Sequence, residues 1–122
     1  MKDKIKKVLI ERSIMELPLS LSGGYANGYV GMPPEHPWFG KYYTNLDVSI
    51  HGGLTYSNPY LPNNIYDTTL WWIGFDTSHY GDTIITCNRT YCENELKSLY
   101  NQVVAAIPGI YCIYVDTICP KL

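Results

Sequence analysis

The stretch 70–82 constrains this chain more than any other. Leu70-Trp71-Trp72-Ile73-Gly74-Phe75 is a bulky apolar run with the length and side-chain shapes of a buried strand. The next residues turn polar and place Asp76, His79 and Asp82 three apart, with Gly81 and Ser/Thr residues marking a loop or turn. A rigid strand that hands two carboxylates and an imidazole to a loop at its end is a common foundation for a site. Residues 46–56 repeat this grammar. Leu46, Val48 and Ile50 alternate with Asp47, Ser49 and His51, so 46–50 reads as a strand with one buried face. His51-Gly52-Gly53-Leu54-Thr55-Tyr56 follows, its glycines signalling a bulge or a close backbone approach. The two strands are expected to pair antiparallel and to deliver their polar ends to one pocket.

The remaining elements arrange themselves around that pair. Residues 7–17 are apolar-rich and ambiguous between strand and short helix; Val8 and Ile10 favour a strand, and Pro18 ends it. Residues 25–32 suggest a short strand. Pro33-Pro34-Glu35-His36-Pro37 excludes regular structure, since proline lacks a donor and fixes φ. A Pro/Asn-rich surface loop is expected over 57–69 and a short strand over 83–86. Leu96, Leu99, Tyr100, Val103 and Ile107 form one apolar stripe, which predicts a helix over about 91–106, with Glu93 and Glu95 near its start and Pro108-Gly109 as its stop. A last strand is expected at 110–115. The fold class is therefore α+β in a single domain, 1–122: a mostly antiparallel sheet packed against one long helix in the C-terminal half.

Composition narrows the functional classes. The net charge is −2, and Lys2, Lys4, Lys6 and Lys7 gather at one end, so the basic face that duplex nucleic acid requires is missing. No run reaches membrane-spanning length, and the apolar run after the lysines is too short for a signal peptide, so a cytoplasmic location, free of membrane, is expected. In that compartment Cys87, Cys92, Cys112 and Cys119 read as free thiols; none makes a Cys-x-x-Cys pair. The 12 tyrosines suit strands, ligand walls and interfaces alike.

Three histidines are present, each beside structural punctuation: His36-Pro37, His51-Gly52 and His79-Tyr80-Gly81. His51, His79, Asp76 and Asp82 form the candidate catalytic set. Together they suit metal ligation, metal-free acid–base work, or binding in which His donates to phosphate and Asp accepts from ribose hydroxyls. Cofactor and metal stay open. His36, Trp38, Gly52, Gly53, Thr55, Tyr56 and Trp72 are the candidate ligand-binding residues: glycines let N–H groups approach an anion, and an indole can stack on a base. Trp71 and Trp72 must point to opposite faces of their strand, so one faces the core.

Gly28-Tyr29-Val30, Pro34-x-His36-Pro37-x-x-Gly40, His51-Gly52-Gly53-Leu54-Thr55-Tyr56 and Trp71-Trp72-Ile73-Gly74-Phe75-Asp76-x-x-His79-x-Gly81-Asp82 together resemble a family of small bacteriophage and prophage proteins. The resemblance runs over about 28–104. It departs at Thr77-Ser78, where Cys-Ala is usual, and in the tail 110–122. It implies a phage origin, and small phage proteins often act against host defence. The leading expectation is thus a cytoplasmic protein that binds, and by binding sequesters, a small phosphate-bearing, nucleotide-derived ligand. The alternatives are a His/Asp-dependent hydrolase of a nucleotide or phosphodiester and a protein-binding inhibitor of a host factor. A homo-oligomer, paired through the 110–115 strand with the pocket near the interface, completes the expectations.

Overall fold

A computed structural model describes residues 1–13, 18–63 and 69–109. Its centre is the strand predicted from the apolar run at 71–75. Strands β1 (Lys6–Glu11), β2 (Ala26–Met32), β3 (Tyr56–Asn58) and β4 (Trp71–Phe75) form one antiparallel sheet in the order β1-β2-β4-β3. Among the described residues one α-helix, α1 (Arg89–Ala105), packs against β2 and β1. The fold is α+β, as the sequence predicts. The cysteines at 112 and 119 and the expected strand at 110–115, on which the pairing of copies rested, lie outside the described residues.

Period-two alternation divides the sheet into two faces. Val30 and Met32 of β2 and Ile73 and Phe75 of β4 meet Leu96, Leu99, Val103 and Val104 of α1 in the main core. The opposite face carries a smaller cluster of Tyr29, Leu61, Leu70 and Trp72, with Val8, Ile10 and Tyr56 against it. Gly74 makes the crossing of Tyr29 possible, since a Cβ there would lie 2.3 Å from the Tyr29 ring. The helix starts two residues before the expected point, because Asn88 caps it by accepting from the Tyr91 N–H at 2.9 Å. Glu93 and Glu95 therefore fall in the second turn, away from the dipole's positive end; Glu93 instead pairs with Arg89 at 3.1 Å.

Two expected strands are absent. Residues 83–86 form a turn, because the hydroxyls of Thr83 and Thr86 bond each other's backbone N–H and the Cys87 N–H reaches the Thr83 carbonyl at 2.8 Å. Hydroxyls that satisfy the backbone locally remove the need for a ladder. Residues 46–50 join no strand either, and the antiparallel partner of β4 on that side is β3. Leu46, Val48 and Ile50 still point into the main core while Asp47 and Ser49 face out. What replaces the ladder is the polar side of α1. Gln102 accepts from the Ser49 N–H at 3.0 Å and donates to the Ser49 carbonyl at 2.7 Å, and Glu95 accepts from the His51 N–H at 2.9 Å. The segment is a strap laid along the helix.

Candidate functional site

The strap, the end of β4 and the first turns of α1 meet at one carboxylate, Asp82. Each arrives by its own local device. The strap turns at Gly52, where the Gly53 N–H bonds the Ile50 carbonyl at 2.9 Å and Gly52 holds φ +66°. A Cβ at Gly52 would sit 2.3 Å from His79 Cε1, so the backbone lies directly against that imidazole. The chain leaving β4 is locked by Thr77, which is fully buried; its Oγ1 donates to the Ala26 carbonyl at 2.9 Å and its N–H to Asn27 Oδ1 at 3.1 Å. Beyond it, the Asp82 N–H bonds the His79 carbonyl at 2.9 Å, and Asp82 Oδ2 accepts from the His79 N–H at 3.0 Å, closing a tight polar loop.

Within this frame His51 Nε2 lies 3.0 Å from both oxygens of Asp82, and His79 Nδ1 lies 3.2 Å from Oδ2. The outer nitrogen of each ring is also engaged. His51 Nδ1 is 2.7 Å from the Tyr91 hydroxyl, and His79 Nε2 is 3.3 Å from Asp76 Oδ1, which in turn accepts from Thr55 Oγ1 at 3.1 Å. The two rings meet edge to face with centroids 5.5 Å apart. The result is a continuous chain, Thr55–Asp76–His79–Asp82–His51–Tyr91.

Protonation follows from these contacts. Burial alone would raise the Asp82 carboxyl, but hydrogen bonds from His51 and from the His79 backbone outweigh it and hold the group below its ordinary value. An ionised Asp82 only accepts, so a His51 N–H faces it from Nε2, while Nδ1 and the Tyr91 hydroxyl share a hydrogen bond. His79 faces a carboxylate at each nitrogen; both contacts are hydrogen bonds when both nitrogens carry protons. Cys87 Sγ approaches His51 Nε2 at 3.8 Å, yet burial and the Asp82 charge push this thiol up, away from the nucleophilic thiolate. Cys87 and Cys92 are both free and buried, as expected.

A cavity of about 160 Å³ opens beside His79 and Asp82. Arg12, Ser20, Leu21, Gly23, Ser78 and Tyr80 complete its wall. Arg12 Nη1 is pinned by the Ser22 and Gly24 carbonyls, each at 3.0 Å. Tyr80 and Leu21 stand exposed at the rim.

The structure thus brings together His51, His79, Asp76 and Asp82, with Gly52 against His79, Gly53 in the same turn and Thr55 on Asp76. It places the other ligand-binding candidates elsewhere. His36 is 3% exposed and serves the fold: its Nε2 donates to the Val103 carbonyl at 2.7 Å, its Nδ1 accepts from the Trp38 N–H at 3.0 Å, and burial lowers its pKa. Val103 lies eight residues beyond Glu95, about 12 Å further along the helix. Trp38 packs edge to face on His36 at the border of the main core. Trp72 is 3% exposed in the second cluster and offers no face for stacking; Trp71, the half-buried one, is held by its indole N–H on the Lys41 carbonyl at 3.0 Å. Tyr56 packs on Tyr29 and bonds the Tyr60 carbonyl.

Tyr91, Glu95 and Arg12 escaped the sequence reading. The signal for the first two was present: Tyr91, Glu95, Ser98 and Gln102 are spaced four, three and four apart, a polar stripe beside the apolar one. Comparison with protein-family models, with curated proteins and with solved structures gave no match.

Proposed function

We infer that this protein takes a small phosphate-bearing, nucleotide-derived ligand at the Arg12–His79 cavity, and that it hydrolyses that ligand. The observation that carries this reading is the meeting of two imidazoles on one buried carboxylate at the cavity wall. A store for an anion needs donors, and the Asp82 carboxylate in the cavity wall works against it. A hydrolytic centre needs groups that hold and move protons, and a carboxylate that orients an imidazole is a standard part of one. Arg12 supplies the fixed positive charge that a phosphoryl group requires.

Size shapes the rest of the reading. Ligand pockets usually enclose about 300–1,000 Å³. A cavity of about 160 Å³ takes a phosphoryl group, leaving a base to lie over Tyr80 and Leu21 at the rim. A second copy of the chain would supply the missing wall, so a homo-oligomer belongs to the same reading. The motifs of phage type give it a setting: a host cytoplasm, where such ligands carry defence signals. Among the described residues no helix is long and apolar enough to cross a membrane.

Sequestration without cleavage is the second reading, favoured by the fact that all four ring nitrogens already have partners. Incubation with linear and cyclic oligonucleotide signals, followed by chromatography, separates the two. Hydrolysis yields new products that His51→Ala and His79→Ala abolish; sequestration returns intact ligand after heating; no binding and no products refutes both. Light scattering that gives a mass fixed at the 13.9 kDa of one chain, with or without ligand, removes the oligomer.

A further inference from the structure

We propose that His51 Nε2, His79 Nδ1 and Asp82 are the protein ligands of one divalent transition-metal ion of the zinc class. Tyr91 and Asp76 orient the two imidazoles from outside. One ligand atom from each of the three residues lies within 4.8 Å of the other two. Ligands on bonds of 2.0–2.1 Å in a tetrahedron stand about 3.3 Å apart, so a small inward movement of each side chain closes the set. Two nitrogens and one carboxylate oxygen suit zinc and its neighbours; calcium and magnesium prefer oxygen alone.

The outer contacts argue most strongly for this assignment. A ligating imidazole almost always donates its second ring N–H to a carboxylate, backbone carbonyl or water that fixes its tautomer. His79 Nε2 faces Asp76 at 3.3 Å, with Thr55 holding Asp76, and His51 Nδ1 faces the Tyr91 hydroxyl at 2.7 Å, an oxygen able to accept in the same way. Two rings that each turn one nitrogen to the same carboxylate and the other to a dedicated partner make a preformed ligand cage. Gly52 also belongs to it, because its missing side chain lets the strap press His79 into place.

As metal ligands the two ring nitrogens that face Asp82 would have to be free of protons, so His51 would carry its N–H at Nδ1 toward the Tyr91 oxygen and His79 would carry its N–H at Nε2 toward Asp76. Three protein ligands would leave a fourth position open, the pattern of catalytic rather than structural zinc, and two of the three, His79 and Asp82, line the Arg12 cavity. This site is the hydrolytic centre inferred above, but its occupancy is measurable without any substrate.

The experiment is titration of the chelator-stripped protein with zinc(II) by calorimetry and with cobalt(II) by visible absorption. The expected result is one ion per chain with a tetrahedral cobalt spectrum. His51→Ala and His79→Ala abolish it, whereas Tyr91→Phe and Asp76→Asn keep one ion per chain but weaken it about 10- to 100-fold. The two outer variants keep the test meaningful if the alanine variants fail to fold, which circular dichroism reports. Absence of saturable binding overturns the proposal, as does binding that folded Tyr91→Phe and Asp76→Asn leave unchanged. Hydrolysis of a nucleotide by the stripped protein in excess chelator overturns the metal site and leaves the hydrolase standing. One tightly bound ion with no hydrolysis does the reverse.

Discussion

Residues 46–51 and 71–79 look alike in sequence and are built differently. Each carries apolar side chains at every second position and then gives way to a polar stretch that holds a histidine. The second becomes β4, an inner strand with ladder partners on both edges. The first buries the same face but finds its hydrogen bonds on helix side chains, Gln102 and Glu95. Alternation therefore specifies which side chains face the core; it does not specify what satisfies the backbone between them. A ladder strand is held by main chain and tolerates many side-chain changes on its neighbours. A strap depends on two or three named side chains, and those can be removed singly.

The largest effect should come from the ladder side. Phe75 is fully buried between β2 and α1, so Phe75→Ala should cost about 3–5 kcal/mol in urea denaturation. A loss well under 1 kcal/mol would mean that β4 is not the centre of the core. Next comes the strap's turn. Gly52→Ala places a methyl against the His79 ring at a φ that L-residues resist, for about 1–3 kcal/mol. It should also displace His79, seen as a shifted ring resonance. Equal stability with an unmoved ring would contradict the close approach.

Gln102→Ala is the cleanest cut between the two regions. It removes both bonds to Ser49 at a partly exposed site, so about 0.5–1.5 kcal/mol is expected. Hydrogen exchange should speed at the Ser49 amide and stay slow at Ile73. Exchange that speeds equally in both would show that the strap and the ladder open together.

The smallest effect is a pH dependence that belongs to neither region. His36 has its folded pKa lowered from 6.5 by burial, so the unfolded chain binds more protons than the folded one below about 6.5. Stability contributed by the neutral ring is complete above that pH and is lost as pH falls toward the folded value. His36→Gln should flatten this slope in thermal melts between pH 7 and 5. An unchanged slope would mean that burial of His36 does not set the acid sensitivity.

Much of this architecture was legible. β2, β4, the helix and the irregular proline stretch each carry a local signal strong enough to survive folding, and the three-residue spacing of Asp76, His79 and Asp82 pointed to a shared loop. The rest depended on distant partners. Whether 46–50 pairs with a strand or with Gln102 is decided by a helix fifty residues away. The Thr-Ile-Ile-Thr run at 83–86 has strand composition, but its hydroxyls close a turn. His36 and Trp72 carry the same chemistry as site residues, and only burial tells them apart from His79. Arg12 stands one residue past the end of β1, and no local pattern ties it to His79 and Asp82.

The central claim is that both stretches end on one carboxylate. Long-range nitrogen–proton correlation of the three imidazoles, recorded before and after Asp82→Asn, tests it most directly. The contacts place an N–H at His36 Nε2 on the Val103 carbonyl and an N–H at His51 Nε2 facing Asp82. On substitution the His51 and His79 ring nitrogens should shift together while those of His36 stay where they are. If only His79, the near neighbour in sequence, responds and the His51 ring is unmoved, the two stretches do not meet at Asp82.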